Sequence, residues 1–288
     1  MWQQRVDVTP PYNFSHALAR LALDPLISVD IAQQKVIVPL YIQNKPVAVT
    51  VESIGTKDEP SFLVTAPYPE RKHEIMERVS HLFQWNTPLA PIHEHFQRTE
   101  LQPLFTEYEG MPLILDFDLY FCLMKCLIHQ QLNLKVASRL TERFVQTFGT
   151  QIGGVWFYPR PEDIAALSYD ELKQLQLSGR KAEYIIDTSR LIAEGKLSLE
   201  ELARKSEAEA MEALLSVRGI GPWTVQNFLL FGLGRRNVFP KADIGLQRAV
   251  QRLLGLSERP SMKQMEELSK CWEPYLSYAS LYLWRSIE

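Results

Sequence analysis

The 288-residue chain is 46% hydrophobic and 23% charged, with a formal net charge of −3. These values suit a soluble globular protein and exclude disordered, collagenous and membrane-embedded classes; the length allows one large core or two to three smaller modules. The N-terminal MWQQRVDVTPPYNF lacks the charged region and apolar run of a secretory signal, and no apolar stretch approaches the ~20 residues that cross a bilayer, so an intracellular, cytoplasmic protein with no membrane partner is expected.

The first hundred residues are the β-rich part. KVIVPLYIQNKPVAVTV (35–51) gives two β-branched runs on either side of QNKP, and SFLVTAPYP (61–69) gives a third that ends at prolines. EIMERVSHLF (74–83) sets Ile75, Val79 and Leu82 on one helical face. An antiparallel sheet packed on helices is predicted here. From about Leu113 the pattern is helical to the end. Residues 118–149 predict one or two helices, with Asp118 capping the start and Gly149 marking the stop. SYDELKQLQLSG and RKAEYIIDTSRLIAEG read as helices that end at Gly179 and Gly195. Ser198 before Glu201 and Ser206 before Glu209 predict two capping boxes. No internal repeat or low-complexity segment is present.

Metal and thiol chemistry finds little support. Cys122, Cys126 and Cys271 are too scattered for a disulfide framework or a four-cysteine cluster, and the first two, at i,i+4 beside Leu123 and Leu127, fit a core-facing helix. His93 and His95 lack a third ligand at useful spacing and are expected as a solvated, partner-free pair. The absence of Pro-Cys-x-x-Cys removes the zinc deaminase pattern.

The net negative charge argues against a nucleic-acid binder only until its distribution is read. From Leu214 to Leu254 six cations, Arg218, Arg235, Arg236, Lys241, Arg248 and Arg252, stand against Asp243 alone. That strip is expected to face phosphates, the alternative being a solvated helix face. Within it, VRGIGPWTV (217–225) places two glycines between helical stretches. Pro222 suits the first turn of a following helix, so the segment predicts helix, tight glycine hairpin, helix. Gly219 and Gly221 are expected to take left-handed conformations and to let a ligand touch the backbone, with unpaired N–H groups at the positive end of a helix dipole ready for phosphate. A dinucleotide fingerprint is the rival reading; Thr224 stands where its third glycine belongs, and no βαβ pattern surrounds it.

These residues resemble the helix-hairpin-helix DNA glycosylase superfamily, in particular its 3-methyladenine DNA glycosylase II (AlkA-like) branch. The resemblance rests on LLSVRGIGPWTVQNFLLFGLGRRNVFPKADIGLQR (214–248), PPYNFS (10–15), LIHQQLNLKVASRL (127–140), LSGRKAEYI (177–185) and SYASLYLW (277–284). It implies an α+β fold: an N-terminal module with a TATA-binding-protein-like antiparallel sheet (1–88), then an all-α glycosylase domain of two helical subdomains. One subdomain (119–235) carries the hairpin, and the other (89–118 with 236–288) carries Asp243.

The resemblance further implies a DNA repair enzyme that extrudes alkylated purines and hydrolyses the N-glycosidic bond. Asp243 would be the catalytic carboxylate, a role compatible with the N-cap that its sequence position also predicts. Trp223 and Trp284 would flank the base, with Tyr12 and Phe14 lining the pocket. Gln131, beside Leu132, would fill the gap left in the duplex, although a helix-surface glutamine is an equal reading of the residue alone. Arg218, Gly219, Gly221, Thr224 and Lys241 would contact DNA. A monovalent cation (sodium or potassium) would rest on the main-chain carbonyls of Leu215, Val217 and Gly219, with no cofactor required and no iron–sulfur cluster. Trp223 occupies the place of the Schiff-base lysine of strand-cutting relatives, which implies a monofunctional hydrolase acting as a monomer on damaged double-stranded DNA. A catalytically silent DNA-structure binder and a glycosylase for oxidised bases are the alternatives. Arg20 stands where relatives offer an aromatic, and a cation there is expected to disfavour positively charged bases.

Overall fold

The computed structural model describes residues 1–288. Its N-terminal module is a five-stranded antiparallel sheet: β1 (Trp2–Asp7), β2 (Ser28–Asp30), β3 (Lys35–Ile42), β4 (Lys45–Ser53) and β5 (Ser61–Ala66), in the order β1-β5-β4-β3-β2. β3 and β4 are the two predicted runs. They pair from Lys35–Glu52 to Ile42–Lys45 around Gln43 and Asn44, both at positive φ (50° and 63°), which fits the right-handed twist of a two-residue hairpin. Val36, Val38, Val47, Val49 and Val51 are buried, so each strand turns one face inward. The edge strands β1 and β2 lack the β-branched runs that mark β3 and β4, so no strand is expected there from the sequence. Two helices pack here, α1 (Phe14–Leu21), capped by the Asn13 side chain, and α2 (Lys72–Leu82), which buries Ile75, Val79 and Leu82 as its spacing predicts.

The rest is helical, apart from a small hairpin, β6 (Thr150–Ile152) with β7 (Val155–Phe157), that lies against β3. The predicted stretch 118–149 is two helices. α3 (Leu119–His129) begins where Asp118 accepts the Phe121 N–H at 2.7 Å, and α4 (Leu134–Phe148) begins at Asn133 and stops at Gly149. Gly179 corrects an expectation: it opens α5 (Gly179–Ala193), capped by Ser178, and does not end the preceding helix. Ser206 forms its full capping box on α6 (Glu207–Leu215), whereas Ser198 accepts the Glu201 N–H with no reciprocal bond from Glu201. α7 (Pro222–Asn227), α8 (Ile244–Leu253) and the C-terminal α9 (Leu276–Arg285) complete the elements that build the site. One apolar cluster runs from Trp2 to Leu283, so sheet and helices share a core.

His93 departs from the solvated pair expected of it. It is 8% exposed, and its Nε2 accepts the Gly110 N–H at 3.0 Å and meets the Tyr282 hydroxyl at 3.0 Å; His95 Nε2 contacts the Cys271 carbonyl. Cys122 and Cys126 are buried, as their spacing predicts.

Candidate active site

Asp243 caps α8: its backbone is extended (φ −69°, ψ 124°) and its Oδ1 accepts the Leu246 N–H at 3.0 Å. Two indoles complete the surround. Trp284 Nε1–H donates to the same oxygen at 3.1 Å, and Trp223 Nε1–H donates to Oδ2 at 2.9 Å. The donors come from three elements, α8, α9 and α7, so the carboxylate ties the hairpin side of the molecule to its C-terminal helix. A carboxylate only accepts hydrogen bonds, and three N–H donors fix its plane. Gly245 makes the arrangement possible: a Cβ there would lie 2.9 Å from Asp243 Oδ1 and 3.4 Å from the Trp284 indole. No local pattern signals this role, because a glycine in a first helical turn reads only as a weak helix former.

Behind Trp284 lies a layer of charge and aromatic surface that sequence reading missed. α7 continues into a wide turn, Phe228–Gly232, in which the Leu233 N–H reaches back five residues to the Phe228 carbonyl; such π-type turns recur at functional sites. Phe231, on this turn, stacks on Trp284 (centroids 5.6 Å, planes 29° apart), and the Arg20 guanidinium lies 4.9 Å from the Phe231 centroid. Arg20 also pairs with Glu288 at 3.1 Å. The cation is therefore engaged by a carboxylate and a ring, which reduces the repulsion expected of it toward a positively charged base. The Asp116 N–H donates to the Phe231 carbonyl at 2.8 Å, and the Asp116 side chain pairs with Lys125.

The hairpin joins α6 to α7. Gly219 alone is left-handed, at φ +91°, and a Cβ there would lie 2.2 Å from the Tyr184 ring of α5. Gly221 departs from its expected left-handed form: at φ −104°, ψ 174° it is an extended N-cap, and a Cβ there would meet nothing within 4 Å. The two glycines thus serve different ends, one packing under a ring and the other leaving open space before a helix N-terminus. Val217 O accepts the Ile220 N–H at 3.1 Å and Gly219 O accepts the Gln130 side-chain amide at 2.8 Å. Each carbonyl keeps a second lone pair.

Residues 124–274 match a family described as HhH-GPD superfamily base excision DNA repair protein, and the Bacillus subtilis protein YfjP is 53% identical over 289 residues, 100% of both chains. The chain belongs to this superfamily. A DNA-3-methyladenine glycosylase of Bacillus subtilis is 32% identical over 75% of this chain and 73% of its own. Among solved structures, a 3-methyladenine DNA-glycosylase from Archaeoglobus fulgidus superposes with a TM-score of 0.86 at 25% identity, covering 99% of this chain and 97% of that one.

Within this superfamily fold the remaining predicted residues divide. Gln131 and Leu132 sit in the exposed turn between α3 and α4, Gln131 at φ +56°; Leu132, Leu134 and Val136 are 36%, 65% and 40% exposed, an apolar surface beside the hairpin. Tyr12 and Phe14 are not free to line a pocket. Both are buried against Phe62, and the Tyr12 hydroxyl donates to the Phe83 carbonyl at 2.7 Å. Their PPYNFS motif seats α1 on the sheet. Thr224 is likewise buried, its hydroxyl accepting from the Gln130 amide at 2.8 Å. Much of the basic strip is engaged internally: Lys241 pairs with Glu266 at 2.8 Å, Arg218 with Glu183 at 2.5 Å, Arg235 donates to the Ala203 and Lys205 carbonyls, and Arg236 donates to Thr87. Arg248 and Arg252 remain exposed. These partners come from distant segments that sequence reading could not connect, and the Arg218 and Lys241 side chains stay 67% and 35% exposed.

Proposed function

We propose that the chain is a monofunctional DNA glycosylase that rotates alkylated purines, of the 3-methyladenine and 7-methylguanine type, out of damaged double-stranded DNA and hydrolyses the N-glycosidic bond to leave an abasic site. The observation that carries this reading is Asp243, held by one backbone and two indole N–H groups. Breaking the N-glycosidic bond builds positive charge on the sugar, and a fixed anion stabilises that oxocarbenium-like state. A base alkylated at a ring nitrogen is already a good leaving group, so little acid assistance is needed. The names of the glycosylase relatives support the substrate class. Gly221 and the N-terminus of α7 would receive a backbone phosphate, where unpaired N–H groups and the helix dipole attract an anion; Arg218 and Lys241 would have to exchange their internal carboxylates for phosphate. The turn at Gln131 and Leu132 would occupy the gap after extrusion, a step that costs a few kcal/mol and least for damaged bases. Half-buried Trp223 and Trp284 would meet the base with whatever ring surface their N–H bonds leave open. Leu215, Val217 and Gly219 would hold a monovalent cation that adds positive field at the hairpin. The protein would act as a monomer in the cytoplasm; no helix is long and apolar enough to cross a membrane.

Incubation with methylated duplex DNA, with the released bases resolved by chromatography, tests the proposal. Release of free 3-methyladenine is expected, and borohydride should trap no covalent adduct, because Trp223 cannot form a Schiff base. Tight binding with no base released would instead favour the silent DNA-structure binder.

A further inference from the structure

The turn at Gln131 and the glycine hairpin lie far apart in sequence; Gln130 joins them directly, and Lys181 ties the turn to α5, which itself packs on the hairpin. Lys181, in the first turn of α5, turns its ammonium onto the C-terminal end of α3 and donates to the carbonyls of Leu127 (3.3 Å), Ile128 and Gln130 (2.7 Å). An ammonium has three donors and these are its three partners, placed at the negative end of the helix dipole. Gln130, the last residue before the turn, uses both amide hydrogens on the other side: one goes to the Gly219 carbonyl and one to Thr224 Oγ1, both at 2.8 Å. α5 holds the hairpin a second time through the Tyr184 ring under Gly219 and through Glu183 on Arg218. Burial of Lys181, which pushes its pKa down to about 8, is the cost of placing a cation there, and three carbonyls offset it.

We propose that Lys181 and Gln130 are positioning residues that fasten the exposed Gln131–Val136 segment to the glycine hairpin, so that the apolar segment enters the duplex only in register with the hairpin's grip on the backbone. This rests on the DNA-glycosylase reading, which supplies the duplex. In its absence the mechanical claim still stands: the two segments move as one body. A polar anchor at this place differs from ordinary core packing because it fixes where the turn points while leaving its apolar side chains in solvent.

The test uses the full chain with Lys181→Met, Lys181→Arg and Gln130→Leu. Hydrogen exchange without DNA reads the mechanical claim: Lys181→Met is expected to raise exchange at both 128–134 and 218–222 with the Asp243 region unchanged. Equal exchange to wild type in both segments overturns the proposal whether or not the protein acts on DNA. On a duplex with 2-aminopurine beside the lesion, Lys181→Met and Gln130→Leu should lower the fluorescence step that reports base extrusion and cut kcat/KM about tenfold to a hundredfold. Release from single-stranded substrate should fall much less, and Lys181→Arg should recover most of the loss. Equal losses on single- and double-stranded substrate would mark a general defect and overturn the positioning role. Wild-type protein that releases no base would fail the glycosylase reading alone, and the exchange experiment would still decide the coupling.

Discussion

At Asp243 the roles of single atoms separate. Both indole N–H groups are turned to the carboxylate, so the two tryptophans that resemblance would set around the base also hold the group that is proposed to face the sugar. Phenylalanine at 223 or 284 keeps an aromatic face and removes one N–H. Hydrogen bonds to a charged group contribute about 1.5–3 kcal/mol, so if that energy is used in the transition state each variant should lose about tenfold to a hundredfold in single-turnover rate while retaining affinity for damaged duplex. A variant with normal rate would leave the indoles with stacking alone. Gly245→Ala tests the same contact from the backbone: a methyl group 2.9 Å from Asp243 Oδ1 must displace the carboxylate or Trp284, and a rate loss of similar size is expected with a melting temperature within a few degrees of wild type. The N-cap at Asp243 was legible from the sequence, because a carboxylate after a loop and before an apolar helix announces one; its catalytic assignment came from the family resemblance. Gly245 and Phe231 were not, because the crowding at Gly245 depends on how the Asp243 carboxylate is turned and both residues meet Trp284 on α9, which no local pattern connects to them.

Among the elements, the hairpin shows how far local signals reach. Two glycines and a proline predict its place and its chain reversal, yet they do not say which glycine bends the backbone. Gly219 does, at φ +91° over the Tyr184 ring; Gly219→Ala should therefore cost about 1–3 kcal/mol from the backbone alone, more with the ring displaced, and should lower the melting temperature clearly. Gly221→Ala meets open space and should fold with near-normal stability but bind duplex DNA more weakly, since its methyl group would occupy the space a phosphate needs. Thermal melts and DNA titration separate the two; equal destabilisation by both substitutions would refute the distinction. The same contrast explains the sheet. β3, β4 and β5 were legible from β-branched runs, whereas β1 and β2 are edge strands with few β-branched residues, and in β1 the polar Gln4 occupies one of the inward positions of an otherwise regular alternation. Likewise, a glycine can open a helix as well as end one, and at Gly179 the preceding serine decides it.

For the whole molecule, a shared core makes stability depend on groups far from the site. His129 sits between Thr141 and the Lys125 and Lys181 region, and burial holds its pKa down to about 3; burial also lowers that of His93, which accepts the Gly110 N–H. Both are neutral in the fold. Below pH 6.5 the unfolded chain takes up protons that the fold refuses, so stability falls as pH drops from 6.5 toward 3, by about 2 kcal/mol between pH 6.5 and 5 for His129 alone. The melting temperature should decline over that interval, and His129→Gln should flatten the decline; an unchanged slope would contradict the assignment. Fold class and superfamily were legible along the full chain because hairpin, aspartate and flanking motifs occur in the right order. The basic strip was legible as an excess of charge, whereas the carboxylates, hydroxyl and carbonyls that its members meet come from distant segments and were not. The most direct measurement of the central claim, that a carboxylate held at the helix terminus drives bond cleavage by its charge, compares Asp243→Asn with wild type on two ligands. The variant is predicted to bind abasic-site duplex with near wild-type affinity and to release no 3-methyladenine; release at the wild-type rate would contradict the account.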